Sequence, residues 1–298
     1  MKSGSTMSFC DFVFHRPTAL TDACRLGQRL GAGALYFAGG TELLPDIQRG
    51  VETASDLIAL DGVPELHGIA FDGAGLRIGA MTTIRELAES PAVREAYPVL
   101  AEAALTLGGP QIRSQATLGG NFCRAVPCAD TPPACIVGGA TVRLVSEEGE
   151  RTLPAENFFV GPRCTVLRPG ELLVEILIPP QPPRSGASYQ RFALRQGSAL
   201  AVASVAARLV LNGDKIGSAR VALGSVAPVP LAATRSAAML EGRAPEEDLF
   251  ARVAAEAAAE ARPISDLRGS EPFRRLLVEV LARRALREAA ARASERAA

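Results

Sequence analysis

Two short glycine-containing segments are the residues of this chain whose types and spacing could do chemistry. They read FAGGTEL over residues 37–43 and TLGGN over residues 117–121, so each combines a glycine pair with a threonine. Successive backbone N–H groups in a tight turn form a concavity that binds an anion without a lysine. Glycine also lets the backbone approach phosphate oxygens closely, because it has no Cβ. Two such segments facing each other would suit a diphosphate, although a single glycine pair is more often an ordinary turn.

Histidine catalysis finds little support in the sequence. His15 and His67 are the two histidines, and neither has a nucleophile or an acid close by in sequence that would complete a catalytic set. A zinc site that uses both lacks the usual short ligand spacing, and no phosphate-binding P-loop pattern is present. The GAG at residues 31–33 resembles the opening of a dinucleotide fingerprint, but it precedes its strand and Tyr36 replaces the third glycine. We interpret it as the end of the first helix.

Composition excludes several classes of protein. The chain has 298 residues, 32 basic and 32 acidic side chains, and 48% hydrophobic residues, which argues against disorder and against nucleic-acid binding through excess positive charge. Its length suggests about two domains. Six cysteines are too few for a disulfide scaffold of this size. We expect no secretory signal and no transmembrane segment, because no long apolar run occurs. A cytoplasmic protein is therefore the default.

The elements that must position the glycine segments alternate in type through the first 180 residues. Helices are predicted from Thr18 as N-cap, over 42–49, from Thr82 or Thr83 to about 90, over 93–107 and over 131–138. Strands are predicted over 12–14, 35–38 and 56–60, in a hairpin at 67–71 and 75–79, in a second hairpin at 140–153, and over 172–178. We expect residues 116–129 to be irregular.

The proline-rich segment PPQPP at 179–183 is a strong break and the predicted domain boundary. Beyond it, strands are predicted over 189–195, 200–211 and 215–224, followed by three helices. The third helix carries an apolar face of helical spacing at Phe273, Leu276, Leu277, Val280 and Leu281. We expect its last 18 residues to be a frayed, solvated end. The predicted domains are 1–180, with subdomains of about 1–60 and 61–180, and 184–298, a small antiparallel sheet with three helices in an α+β fold.

Five separated stretches occur in an order that points to one family. They are AGGTELLP at 38–45, IRSQATLGGN at 112–121 with DTPPA at 130–134, ELLVEILIP at 171–179, YQRFALRQGSALAVASVAARL at 189–209 and RGSEPFRRLLVEVLARRAL at 268–286. Together they resemble the FAD-binding medium subunits of molybdenum hydroxylases, the group that contains xanthine dehydrogenase and aerobic carbon monoxide dehydrogenase. The resemblance covers nearly the whole chain. It implies a two-part FAD-binding domain of the vanillyl-alcohol-oxidase (PCMH) type, followed by the small C-terminal domain.

The same resemblance implies a set of residues that bind FAD. By position, the backbone amides of residues 39–43 would hold the diphosphate, with residues 117–121 as a second loop. Asp130 matches a family residue that binds the flavin's sugar-like chain, Leu107 and Leu173 fall near the isoalloxazine, and Arg191 stands where the family often has a lysine that can stabilise reduced flavin. The implied cofactor-binding residues are Tyr36, Phe37, Ala38, Gly39, Gly40, Thr41, Glu42, Leu43, Leu107, Thr117, Leu118, Gly119, Gly120, Asn121, Asp130, Leu173 and Arg191.

Each of these residues also has a structural explanation that needs no cofactor. Asp130 could cap the predicted helix over 131–138. Leu107 and Leu173 could be ordinary core residues, and Arg191 could be a solvated strand residue. Only their joint order favours the functional interpretation.

Three cysteines raise the question of a metal site. A family branch resembling 4-hydroxybenzoyl-CoA reductase carries an extra iron–sulfur cluster on an inserted loop, but this chain lacks the insertion. Cys123, Cys128 and Cys135 have the spacing C-x4-C-x6-C, which is not a standard cluster spacing. We therefore predict no metal in this chain and treat these cysteines as small buried hydrophobic residues, with Cys135 facing the core.

The resemblance implies an electron-transfer subunit without catalytic residues of its own. A large molybdopterin-binding partner would oxidise the substrate, and a small partner would relay electrons through [2Fe-2S] clusters to FAD in this chain, which passes them to an external acceptor. A dimer of heterotrimers is the expected assembly. Two alternatives stay open. One is a self-contained FAD-dependent oxidase, which would need a substrate pocket and a base beside the flavin ring. The other is a binding module whose glycine segments are only turns.

Overall fold

The computed structural model describes residues 11–295, so the expected absence of a secretory signal concerns residues mostly outside it. The N-terminal part opens with a parallel three-stranded sheet of order β1-β3-β2. Its strands are β1 Val13–His15, β2 Ala34–Phe37 and β3 Asp56–Ala59, and its helices are α1 Leu20–Leu30 and α2 Leu43–Gln48. Alternation of strand and helix is what parallel pairing requires, because parallel strands need crossover connections.

The two ends of α1 test two sequence predictions. Gly31 is its C-cap with φ of 62°, so the interpretation of residues 31–33 as a helix end is confirmed. The prediction of Thr18 as N-cap is wrong. Ala19, which is extended at φ −129° and ψ 144°, directly precedes the helix, and no side chain caps the first turn. The helix begins one residue too late for the threonine hydroxyl to reach its free amides.

A five-stranded antiparallel sheet forms the second layer, in the order β4-β5-β10-β6-β7. Its strands are β4 Ile69–Asp72, β5 Gly75–Gly79, β6 Thr141–Ser146, β7 Gly149–Pro154 and β10 Leu172–Ile178, and a small ribbon is formed by β8 Phe159–Gly161 and β9 Cys164–Thr165. Both predicted hairpins are confirmed, since β4 pairs with β5 and β6 with β7. The central strand β10 is apolar and largely buried because both of its faces are covered.

Short helices cover this sheet. They are α3 Ile84–Glu89, α4 Pro91–Ala96, α5 Pro98–Thr106, α6 Pro110–Arg113, α7 Leu118–Cys123 and α8 Thr131–Gly138. Thr83 caps α3 and forms a capping box with Glu86, which selects between the two threonines predicted. The prediction of a single helix over 93–107 is wrong. Pro98 cannot continue a helix, so α4 ends before it and α5 starts at it. Residues 116–129 are also not wholly irregular, since they contain α7.

The C-terminal part is an antiparallel sheet of order β11-β12-β13-β14 with three helices, as predicted. Its strands are β11 Ser185–Ala193, β12 Ala201–Asn212, β13 Lys215–Gly224 and β14 Leu231–Ala232, and its helices are α9 Thr234–Ala238, α10 Glu247–Glu260 and α11 Glu271–Glu295. The proline-rich segment 179–183 joins β10 to β11, the last strand of one sheet to the first of the other. The α+β class is confirmed.

The last helix differs from expectation in its buried face and in its end. Leu276 of the predicted apolar face is 57% exposed, and Phe273 and Val280 are also exposed. Leu277 and Leu281 of that face are buried as predicted, and a buried face that includes them packs on β11 and β12. It consists of Leu277, Val278, Leu281, Ala282, Ala285, Leu286, Ala289 and Ala293. The predicted frayed end is therefore wrong as far as residue 295, and residues 296–298 lie outside the described range.

One apolar cluster continues from the N-terminal part into the C-terminal sheet. It contains Ala134 and Ile136 of α8, Tyr189 of β11, Ala206 of β12 and Ala222 of β13. The two parts therefore pack through side chains excluded from water, and α8 lies at their junction. Within residues 11–295, none of the helices has both the length and the apolar character needed to span a bilayer.

Candidate functional site

The first glycine pair lies where the chain leaves the carboxyl end of β2. A Cβ on Gly39 would overlap the carbonyl oxygen of Gln115, so only glycine fits this approach of two backbone segments. Gly40 has φ of 68°, a left-handed conformation that glycine adopts without strain. Among residues 11–295, no acceptor receives the backbone N–H groups of residues 39–43, although Leu44 donates to the carbonyl of Gly40. The predicted run of free amides is present in this segment.

The second glycine pair is built differently from the prediction. Thr117 is the N-cap of α7, and its hydroxyl accepts the amide of Gly120 at 3.0 Å. The amides of residues 118, 119 and 121 donate to the carbonyls of Thr82, Ala80 and Thr117. The prediction of a second concavity lined with free amides is therefore wrong. This segment is the first turn of a helix, and its amides donate to acceptors within the chain. Gly120 nevertheless lies against Ala38, so the two segments adjoin.

Both segments line one open cavity of about 480 Å³. Its other walls come from the end of α5, from α6, from the residues between α7 and α8, and from the loop between β11 and β12. Most of the predicted cofactor-binding residues line it, namely Tyr36, Ala38, Gly39, Gly40, Thr41, Glu42, Leu43, Leu107, Thr117, Gly120, Asn121 and Asp130. Residues that are far apart in the sequence thus share one site.

The remaining predicted residues lie outside the lining of this cavity. Phe37 packs edge-on against a phenylalanine of β1. Leu118 is fully buried, and Gly119 donates its amide to a carbonyl just after β5. Leu173 is 3% exposed in the apolar core, as its structural explanation requires. Arg191 lines a neighbouring cavity that shares Gly108 and Ser198 with the first.

Asp130 is a buried carboxylate in the cavity wall and is 5% exposed. Asp130 occupies the N-cap position of α8, as its structural explanation expected, but its side chain makes no capping hydrogen bond, so capping does not account for the carboxylate. The Tyr189 hydroxyl donates to Oδ1 at 2.8 Å, and Nε of Arg191 lies 3.4 Å from the same oxygen. Burial raises the pKa of Asp130, and the charge of Arg191 and the hydrogen bond from Tyr189 only partly oppose that shift.

Arg191 is held by the backbone of two cavity walls. Its guanidinium donates to the carbonyl oxygens of Thr106, at the end of α5, and Ala199, in the β11–β12 loop. Arg191 is thus neither a solvated strand residue nor a cation that lines the main cavity. Its charge lies beside Asp130.

An arginine that sequence reasoning missed forms ion pairs with the carboxylates at the rim of the cavity. Arg124 follows α7, lines the cavity and contacts three carboxylates. Its Nε lies 3.1 Å from Glu42 and its Nη1 2.9 Å from Glu52, and its Nη2 pairs with buried Asp46. Its spacing of four residues from Gly120 is the only local signal for it, since residues four apart share a helix face, and no helix is predicted here from the sequence.

Tyr189 was also missed, although a sequence signal for it exists. It lies two residues before Arg191 on β11, and residues two apart in a strand point to the same face. A polar group that bonds Asp130 could therefore have been sought at this position.

The cysteines do not form a cluster. Cys135 is fully buried on α8, as predicted, but Cys123 is exposed and both Cys123 and Cys128 line the cavity, so the interpretation of all three as buried hydrophobic residues is wrong for these two. Between residues 11 and 295, no three His, Cys, Asp or Glu side chains are grouped to hold a metal ion.

Both histidines lie away from the cavity lining. His15 pairs with Asp56 at 2.6 Å, and His67 contacts the carbonyl of Asp61 at 3.1 Å. The carboxylates in the cavity wall are paired as well: Glu42 and Glu52 contact Arg124, and Asp130 contacts Tyr189. The site is thus built of amides, apolar side chains and neutralised carboxylates, an arrangement that binds an anionic, partly apolar ligand.

Comparison with known proteins identifies the class of protein to which this fold and site belong. Residues 7–181 match the family described as "FAD binding domain in molybdopterin dehydrogenase", and residues 187–289 match "CO dehydrogenase flavoprotein C-terminal domain". The chain belongs to the family of FAD-binding medium subunits of molybdenum hydroxylases, which its sequence resemblance predicted. It is accordingly an oxidoreductase subunit with an FAD-binding domain.

Individual relatives match over nearly their whole length. The carbon monoxide dehydrogenase medium chain of Afipia carboxidovorans is 35% identical over 95% of this chain and 98% of its own. The xanthine dehydrogenase FAD-binding subunit of Escherichia coli O157:H7 is 30% identical over 95% and 98%. In structure, a chain of carbon monoxide dehydrogenase from Hydrogenophaga pseudoflava superposes with a TM-score of 0.93 at 34% identity, covering 96% of this chain and 99% of that one.

Proposed function

We propose that this chain binds FAD in the cavity beside residues 39–43 and works as the electron-transfer subunit of a molybdenum hydroxylase complex. Electrons would arrive from [2Fe-2S] clusters of a small partner subunit and leave to an external acceptor. The observation that carries the proposal is the run of backbone amides at residues 39–43, which have no acceptor within the described range 11–295 and lie in a cavity that also holds Asp130. When bound, FAD supplies the redox chemistry, since it accepts and releases electrons.

The chain's own residues would bind and orient this cofactor. The amides of residues 39–43 would donate to the diphosphate, because consecutive N–H groups on a glycine turn create a positive concavity. Arg124 keeps Glu42 neutralised, so that its carboxylate does not repel the phosphates. Asp130 would accept hydrogen bonds from the hydroxyls of the sugar-like chain, for which an ionised carboxylate is a strong acceptor.

The paired carboxylates favour this role over a self-contained oxidase. An oxidase needs a base that is free to take a proton from its substrate. Glu42 and Glu52 are held by Arg124, while Asp130 already accepts a hydrogen bond from Tyr189. Carboxylates held in this way can anchor a cofactor or a neighbouring residue but are not free to act as a base.

Partners are inferred from the relatives, several of which are named medium chains or subunits. We propose a large molybdopterin-binding subunit and a small [2Fe-2S] subunit as partners, assembled as a dimer of heterotrimers. A cytoplasmic location agrees with the free thiols, because the five cysteines among residues 11–295 form no disulfide. The predicted boundary between an FAD-binding domain at 1–180 and a C-terminal domain at 184–298 is part of the same proposal.

Titration of the full chain with FAD tests the proposal. We expect one FAD per chain, seen as quenching of flavin fluorescence and a protein-bound flavin spectrum. Gly39→Ala should abolish binding, because its Cβ would push residues 115–116 away from the glycine segment. Gly73→Ala is the control, since its Cβ meets no atom within 4 Å and its φ is not positive. A folded wild-type chain that takes up no FAD would refute the proposal. Flavin reduction by a small molecule without partner subunits would favour an oxidase.

A further inference from the structure

Asp130 is held by side chains from the C-terminal sheet. Tyr189 and Arg191 stand on the same face of β11, whereas Asp130 precedes α8 in the N-terminal part. The Tyr189 hydroxyl donates to Asp130 at 2.8 Å, and Tyr189 itself is 7% exposed. The partners are 59 residues apart in sequence, so this contact exists only when the two parts of the chain are docked.

Arg191 connects the same strand to two further walls of the cavity. It donates to the carbonyl of Thr106, directly before cavity-lining Leu107, and to that of Ala199, which itself lines the cavity. With Asp130, one guanidinium therefore touches three walls that come from the α5 end, the α8 start and the β11–β12 loop. Arginine suits this task because its planar fork presents several donors in fixed directions.

The electrostatics make this arrangement sensitive to loss of either partner. Asp130 is buried, and an ionised carboxylate there requires compensation by a donor and a nearby positive charge. Tyr189 remains a neutral donor, since burial and the carboxylate of Asp130 raise its pKa well above the ordinary value. Without the tyrosine hydroxyl, the carboxylate would lose its hydrogen bond of 2.8 Å and would keep only the longer contact of 3.4 Å with Nε of Arg191 to the C-terminal sheet.

We propose that Tyr189 and Arg191 are positioning residues for FAD: they fix the Asp130 carboxylate and the walls at Thr106 and Ala199, and the C-terminal part thereby sets the affinity of the site. This inference rests on the proposed function, since it assumes FAD in the cavity. It adds that a strand outside the FAD-binding family match at residues 7–181 determines how tightly the cofactor is held.

The test compares two buried tyrosines in the full-length chain. Tyr189→Phe removes the hydroxyl that bonds Asp130, and Tyr97→Phe removes one that bonds the carbonyl of Ala134 at 2.9 Å away from the cavity. Both variants lose one buried hydrogen bond, so their melting temperatures without FAD should fall by similar amounts. Only Tyr189→Phe should raise the FAD dissociation constant, by about 10-fold, the usual effect of one hydrogen bond to a charged group.

A second pair of variants tests the arginine. Arg191→Met should weaken FAD binding about 10-fold or more, and Arg191→Lys should recover only part of the affinity, because an ammonium group cannot reach three walls at once. Arg220→Met is the control. Arg220 also reaches from the C-terminal sheet to α8, where it donates to the carbonyl of Ile136 at 3.0 Å, but it does not line the cavity.

A double-mutant cycle separates positioning from general destabilisation. If Tyr189 acts through Asp130, Tyr189→Phe should cost little further affinity when Asp130→Ala, which removes the acceptor of the tyrosine hydroxyl, is already present. Equal dissociation constants for Tyr189→Phe and Tyr97→Phe, or fully additive effects in the cycle, would overturn the inference while leaving the proposed function intact. A wild-type chain that binds no FAD would instead remove the proposed function itself.

Discussion

Burial of the Asp130 carboxyl group lowers the stability of the protein without FAD. Its carboxyl is buried, and burial raises its pKa above that of an exposed aspartate. The folded chain therefore holds a proton on this group more readily than the unfolded chain does. Ionisation of Asp130 consequently lowers the free energy of unfolding as the pH rises through this raised pKa. A residue retained at such a cost in a cavity wall is a candidate for binding.

Asp130→Asn should therefore separate stability from binding. The amide keeps the shape and an acceptor for Tyr189, so the apo variant should be at least as stable as wild type at neutral pH. Its FAD affinity should be lower by about 10- to 100-fold, because a charged acceptor is replaced by a neutral one. Thermal melting without FAD and fluorescence titration with FAD measure the two effects.

The same variant supplies a pH test. Wild-type affinity should fall as the pH is lowered through the raised pKa of Asp130, because the protonated acid is a weaker acceptor. Asp130→Asn should lack this particular decline. A variant that is destabilised at neutral pH, or that keeps the wild-type pH profile, would contradict the role given to the carboxylate.

At the scale of elements, local signals predicted most of the fold. The glycine C-cap of α1, both hairpins, β10 and the sheet-plus-helices order of the C-terminal part are present where turn residues and apolar patterns placed them. Predictions of helices failed where a proline or the packing of a neighbouring element overrode the apolar pattern. Pro98 interrupted a helix whose apolar pattern continued, and the packed face of α11 combines alanines with Leu277 and Leu281 while Phe273, Leu276 and Val280 stay exposed. Alanines suit this face because they let the backbone of α11 at Ala289 and Ala293 approach Gly186 of β11 closely.

Two threonines, the observed cap Thr83 and the wrongly predicted cap Thr18, test whether the structure or the sequence pattern places the start of a helix correctly. Thr83→Ala should lower the free energy of unfolding by about 1 kcal/mol, because it removes the hydroxyl that accepts the amide of Glu86 at 3.1 Å and donates to the Glu86 carboxylate at 2.8 Å. Thr18→Ala, at the cap predicted from sequence alone, should change stability by less than about 0.5 kcal/mol. Chemical denaturation of both variants measures the difference. Equal losses would indicate that α1 begins at Thr18 in solution.

The site was less predictable than the fold, for a physical reason. The glycine segment at 39–43 can be found because its chemistry is local. The partners of the cavity's charged groups are not local: Arg124 reaches Glu52 across 72 residues and Glu42 across 82. Sequence periodicity shows which face a residue occupies, but only the folded structure shows that Arg124 lies opposite the carboxylates in and around α2. The prediction of free amides at residues 118–121 failed partly for the same reason. Leu118 and Gly119 donate to the carbonyls of Thr82 and Ala80, which are distant in sequence, whereas residues 120 and 121 donate to Thr117.

At the scale of the whole molecule, the junction between the two parts has both an apolar and a polar component. The apolar cluster that joins α8 to β12 and β13 supplies affinity between the parts, and it is not sensitive to small rotations. The contacts of Tyr189 and Arg191 are directional and meet at the cavity. Flavin bound against Asp130 would therefore stabilise one particular docking of the C-terminal sheet, and ligand binding and docking would be linked.

Hydrogen exchange can detect this linkage. With FAD at about 100 times its dissociation constant, openings that release the flavin should become up to about 100-fold rarer. Amides of β11 and β12 should then exchange more slowly, whereas those of the β4–β5 hairpin, which does not line the cavity, should change less. In Tyr189→Phe at the same degree of FAD saturation, the protection of β11 and β12 should shrink toward that of the hairpin. Uniform slowing in both proteins would mean that FAD stabilises the chain globally, without a specific connection through β11.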